Sequence, residues 1–106
     1  LSDVAADWVV QERERLGQAY GAALEELARR YLNVNQLERC VSVCQVGLTH
    51  NSCNEVLYQL TMRAYSAMGD RASVARLYQV CKSALETGLG LSPSLETETI
   101  FRELTI

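Results

Sequence analysis

The chain has 106 residues, 48% hydrophobic and 22% charged, enough to bury roughly 65% of the surface its unfolded form exposes and so to build one core in one domain. A single proline and six glycines leave too little material for turns every 8 to 12 residues or so, which argues against a many-stranded β fold and for helices. Ten basic against thirteen acidic residues, a formal −3, is the wrong sign for gripping phosphates, which excludes direct nucleic-acid binding by this chain. No apolar run reaches the roughly 20 residues of a membrane span.

Ser2 or Asp3 is suited to cap a long first helix to about Val34, with Trp8, Leu16, Tyr20, Leu24, Leu27 and Tyr31 on one stripe. Gly17 and Gly21 lie four apart inside it, which predicts a bend or the close approach of another helix. Asn33 and Asn35 supply the stop. A second helix is expected from about Gln36 to Leu48, burying Leu37, Cys40, Val41, Cys44 and Leu48, with His50, Asn51 and Ser52 breaking it. A third, about Cys53 to Met68, has Val56, Leu57, Leu60, Ala64 and Met68 as its inner row and stops at Gly69-Asp70. The fourth, about Arg71 to Thr87, buries Val74, Leu77, Tyr78, Cys81 and Leu85 and ends at Gly88 and Gly90. After Ser92-Pro93, Ser94 caps a last helix through about Leu104, with Glu96 and Glu98 at its positive end.

The middle of the chain repeats at 34 residues, the period of the tetratricopeptide helix-turn-helix. With units at Gly21 to Asn54 and Glu55 to Gly88, Tyr31 aligns with Tyr65, Asn35 with Gly69, Cys40 with Val74, Cys44 with Tyr78 and Gly47 with Cys81. These pairings match an aromatic late in the first helix, a left-handed turn, a small residue where helices cross, a bulky residue a turn later and a second small one. The tryptophan and leucine positions of that signature hold Leu24 and Leu27 in one unit, Tyr58 and Thr61 in the other. Two repeats leave their ends open, so the early part of the first helix and the last helix are expected as caps. The fold expected is all-α: a tetratricopeptide-like right-handed array of about five helices, two helix-turn-helix repeats plus capping helices.

Three segments carry a family resemblance: Asp7-Trp8-Val9-Val10-Gln11-Glu12-Arg13-Glu14-Arg15-Leu16, Asn54-Glu55 onward through Leu60-Thr61-Met62-Arg63-Ala64-Tyr65-Ser66-Ala67-Met68-Gly69-Asp70-Arg71, and Tyr78 with Leu85-Glu86-Thr87-Gly88-Leu89-Gly90-Leu91-Ser92-Pro93-Ser94-Leu95-Glu96-Thr97. In these the chain resembles the bacterial transcriptional activator domain, the helical module of the antibiotic regulatory protein family and related large regulators. The resemblance covers nearly the whole chain and implies a fragment of a transcription regulator, following a winged-helix DNA-binding domain and serving regulation and protein contacts. Small alanines usual at the helix crossings are here Cys40, Val74 and Cys81, and Asn35 stands for a glycine; cysteine is a small buried hydrophobe, so the fold is unaffected.

Cys40, Cys44, His50 and Cys53 contain zinc-type ligands, yet structural zinc sites pair their ligands in knuckles and turns, whereas these cysteines take inward positions of a helical repeat. They read as core, in a reducing cytoplasm, with no metal and no cofactor; only Cys53, near a helix start, suits redox sensing. His50 is the lone histidine and no glycine-rich phosphate loop is present, so no enzymatic constellation is read. Glu25-Glu26 and Arg29-Arg30 read as helix-surface pairs.

Arg29 and Arg63 occupy the same place in the two repeats, one that in tetratricopeptide proteins faces the inner groove with Ala22, Glu25, Leu32 and Asn33, and with Val56, Gln59 and Ser66. Two guanidinium groups one repeat apart suit a partner's carboxylates; the alternative is internal ion pairing with Glu25, Glu26 or Glu55. Trp8 either caps the core near Ile100 and Phe101 or docks on another domain. The partner-contact candidates are therefore Trp8, Arg29, Asn33, Gln59 and Arg63. The partners expected are the regulator's own DNA-binding domain, other proteins or a second copy as a homodimer, and the competing reading is a stand-alone scaffold holding an acidic peptide.

Overall fold

The computed structural model describes the backbone of residues 2–106 and the side chains of residues 4–106; capping by Ser2 or Asp3 lies outside the described side chains. Five helices follow in order: α1 (Ser2–Asn33), α2 (Leu37–His50), α3 (Glu55–Ala67), α4 (Arg71–Leu89) and α5 (Leu95–Leu104), with no strand among the described residues. α1 packs on α2 and α3, α3 on α2 and α4, and α5 on α3 and α4. The result is two layers, α1, α3 and α5 in one and α2 and α4 in the other, the arrangement of stacked helical hairpins.

The repeat is visible in the backbone. Gln36 N–H donates to Tyr31 O at 2.8 Å and Asn35 N–H to Leu32 O at 3.1 Å, and one repeat later Asp70 N–H donates to Tyr65 O and Gly69 N–H to Ser66 O, both at 2.9 Å. These are the same helix-ending bonds, and they need a left-handed residue at the turn. Asn35 has φ 61° and Gly69 φ 79°. Side-chain caps start the following helices: Asn54 accepts from Leu57 N–H, Asp70 from Ser73 N–H and Ser94 from Thr97 N–H.

Helix ends differ from the sequence expectation in three places. α2 continues through His50, with the Thr49 hydroxyl donating back to Gln45 O at 2.9 Å. α3 begins at Glu55 rather than Cys53, since Asn54 serves as its cap. α4 runs through Gly88, where a Cβ would lie 2.7 Å from Cys53 Sγ, and stops at Gly90 with φ 65°. Gly88 therefore answers a close approach, and Gly90 alone is the stop.

The buried residues fall into separate clusters linked by half-buried neighbours such as Tyr65. Ala28, Cys40, Val41, Cys44, Leu57, Leu60 and Ala64 are buried together at the α1–α2–α3 junction. Met62, Val74, Tyr78 and Ile100 bury against each other under α5, where Tyr78 stacks on Phe101 at 3.9 Å between ring centroids. Gly47 is buried, and a Cβ there would collide with Leu57 and stand 3.4 Å from Leu24, so the α2–α3 crossing depends on glycine. Met68, expected inside, is exposed just beyond the α3 terminus.

The first helix is the main correction. Of its expected stripe, Leu24 and Tyr31 are half-buried, while Leu16, Tyr20 and Leu27 are exposed and the buried residue is Ala28. At about 1.5 Å per residue, its 32 residues are longer than the hairpin they pack on. Its first half stands out from the body and does not cap the core. Spacing fixes which residues share a face, but only a neighbour decides which face is covered. α1 also passes Gly17 and Gly21 without a break, and a Cβ at either would meet its neighbour at ordinary contact, 3.5 Å from His50 and 3.8 Å from Asn54.

Candidate functional site

α1 and α3 lie side by side and carry the candidate residues. Arg29 is exposed and donates to Glu26 at 3.4 Å, while Arg30 reaches the same carboxylate at 3.1 Å. Arg30 and then Arg29 hold Glu26 below the usual carboxylate range. Arg63, 34 residues on, is exposed and makes no ion pair or side-chain hydrogen bond among the described residues. The difference follows from the repeat: the position of Glu26 is taken in the second unit by Leu60, a core residue. Glu55, the other carboxylate considered for Arg63, is committed elsewhere.

That commitment also places Gln59. Glu55 Oε2 accepts from Ser94 N–H and Ser94 Oγ at 3.0 Å and from Thr97 Oγ1 at 2.5 Å. Thr97 Oγ1 in turn accepts from Gln59 Nε2 at 2.9 Å. Burial pushes the Glu55 carboxyl up, but the hydrogen bonds from Thr97 and Ser94 outweigh it and hold the group below its ordinary value. Gln59 is only 8% exposed, because α5 lies over the second half of the surface that α1 and α3 would otherwise share. Asn33 is exposed at the end of α1.

Trp8 is 64% exposed, and among the described residues α1 makes no contact with α5, so Trp8 does not cap the core near Ile100 and Phe101. Below it, Val9, Leu16, Tyr20 and Leu27 form an exposed row down α1. Sequence reasoning placed Leu16, Tyr20 and Leu27 on one apolar stripe with Trp8, and the structure leaves them uncovered. The side of α1 that faces the body is marked instead by Ala28, which is buried with Cys40, Val41 and Cys44 of α2.

The cysteines sit inward. Cys40, Cys44 and Cys81 are fully buried and Cys53 half-buried, all as free thiols. Burial pushes the Cys44 and Cys81 thiols up to about 12 and Cys40 upward as well. Cys53 Sγ lies 3.5 Å from Ala84 O. Among the described residues, no group of three His, Cys, Asp or Glu side chains is placed to hold a metal ion, and no helix is long and apolar enough to cross a membrane.

The family model described as the bacterial transcriptional activator domain matches residues 1–105. No curated protein and no solved structure matches the chain.

Proposed function

The chain belongs to the bacterial transcriptional activator domain family, and from that premise we propose that it is the regulatory, protein-contacting module of a transcriptional activator, acting on a separate DNA-binding domain. The observation that carries this reading is the uncovered surface of α1, where Trp8 and the row Val9, Leu16, Tyr20 and Leu27 stand exposed on one helix. Exposed aromatic and aliphatic anchors on a preformed helix suit contact with another domain. The −3 charge suits a module that leaves phosphate contacts to its neighbour. Bound to the DNA-binding domain or to a second copy, α1 would bias whether that domain engages promoter DNA.

The test is carried out in a regulator containing this chain, with Trp8→Ala and Leu16→Ser as variants and promoter output as readout. Output should fall while promoter affinity of the DNA-binding domain alone stays unchanged. Wild-type output from a Trp8→Ala, Leu16→Ser double variant would end the proposal.

A second reading is favoured by Arg63, whose guanidinium is exposed and free of internal partners among the described residues. With Arg29 and Asn33 it suits an acidic segment laid along α1 and α3 in a stand-alone scaffold. Arg63→Ala should then weaken binding more than Arg29→Ala, because Arg29 already shares Glu26.

A further inference from the structure

The exposed row of α1 has a finer order than an apolar stripe. Val9, Arg13, Leu16, Tyr20, Ala23, Leu27, Arg30 and Val34 follow one another at alternating spacings of four and three, and all are exposed. Val34 still bonds through its N–H to Arg30 O at 3.2 Å, so the row runs the length of the helix. Alternation of four and three keeps one seam facing a partner helix that lies alongside, rather than one that crosses at a point. The row is also its own mirror. Turned end for end about the point between Gly21 and Ala22, it places Val9 on Val34, Leu16 on Leu27, Tyr20 on Ala23 and Arg13 on Arg30.

The second repeat shows what this face does when it is covered. One repeat after Ala23, Leu27 and Arg30 stand Leu57, Thr61 and Ala64 of α3, all buried under the hairpin of α1 and α2. A hairpin stacked in that manner needs a small residue at the crossing, as Ala64 is. In α1 the place holds Arg30, and Glu26 stands where α3 has the core residue Leu60. Both changes act against another stacked hairpin. They suit a helix pair instead, where an arginine lays its stem along the seam and keeps its head at the edge.

We propose that this face binds a second copy of the chain, α1 against α1 and antiparallel, with the dyad between Gly21 and Ala22. A two-fold contact presents one patch to itself, so it requires a surface that is self-complementary on reversal. Leu16 then meets Leu27 of the partner copy and Tyr20 meets Ala23, large against small. The layer of Arg13 and Arg30 is neutral in charge: Glu12 adjoins Arg13, Glu26 bonds Arg30 at 3.1 Å, and the register sets Arg30 of one copy level with Glu12 of the other. Polar residues in a seam fix its register at a cost in affinity, so the dimer is specific and weak. The inference rests on the regulatory reading of this row and names what covers it.

Sedimentation equilibrium of the chain should show a monomer passing to a dimer, half associated in the range of about 10–100 µM. Leu16→Glu and Leu27→Lys should each weaken association about tenfold or more. Helix content should stay that of the parent, since both side chains are exposed. Mixed one to one, these two variants should associate at least about tenfold more tightly than either alone. Reversal sets position 16 of one copy against position 27 of the other, so one layer becomes an ion pair and its twin keeps two leucines. Leu16→Glu mixed with Leu16→Lys should not recover, because those positions meet only in a parallel pair. A chain still monomeric at about 1 mM overturns the proposal, as does recovery by the second mixture or none by the first. If the chain is monomeric and Leu16→Ser still lowers promoter output, the dimer falls and the regulatory reading stands. A dimer whose loss leaves output unchanged does the reverse.

Discussion

The carboxylate of Glu55 and the hydroxyl of Thr97 meet at 2.5 Å across 42 residues of chain. The bond fastens the first turn of α5 to the first turn of α3. A ten-residue helix has little stability alone, so α5 depends on this clasp and on the burial of Ile100 beneath it.

Glu55→Gln is expected to lower the unfolding midpoint at neutral pH, with the deficit shrinking in acid. The Glu55 carboxyl is held below its ordinary value of 4.5 in the folded chain, so its stabilisation is present above that value and lost as pH falls through the folded one. Urea titrations of both proteins at pH 7 and about pH 3 check the sign. A gap that widened in acid would contradict it.

Gly47→Ala and Gly17→Ala should move stability in opposite directions. A methyl at Gly47 runs into fully buried Leu57, and overpacking costs about 1–3 kcal/mol, more than the roughly 1 kcal/mol that alanine gains in helix propensity. At Gly17 only the gain applies. Thermal melts should show a lower midpoint for the first and an unchanged or higher one for the second.

Thiol labelling of the native protein near pH 8 should modify Cys53 first. Cys40, Cys44 and Cys81 should react only after unfolding, because they are fully buried and burial raises all three, Cys44 and Cys81 to about 12. Two fast-reacting thiols in the native state would contradict that packing.

Trp8 should fluoresce as a solvated indole in the isolated chain, given its 64% exposure. Trp8→Ala should change unfolding free energy by no more than about 0.5 kcal/mol. A blue-shifted emission in the isolated chain at low concentration would mean that α1 folds back or pairs.

Much of the fold is written in local pattern. The 34-residue alignment of Asn35 with Gly69 predicts two equivalent left-handed turns, and both are present with matching hydrogen bonds. Small residues at Gly47 and Cys81 anticipate the crossings because helix separation is set by the side chains between the axes. Ser94 as a cap needs only the preference of a hydroxyl for free N–H groups.

The sequence by itself determined the helices, their repeat and the family to which the chain belongs, because turn chemistry, capping and apolar spacing act over a few residues. Tertiary structure alone decided what each face meets. Leu16, Tyr20 and Leu27 share a face by their spacing, yet they are exposed, since covering a face requires a second element and α2 lies against Ala28 instead. Gln59 matches a groove position, yet α5 covers it through Thr97. Gly21 and Glu55 align at position one of their repeats, and only the fold shows that the Glu55 carboxylate reaches Ser94 and Thr97, because such bonds join residues far apart in the chain.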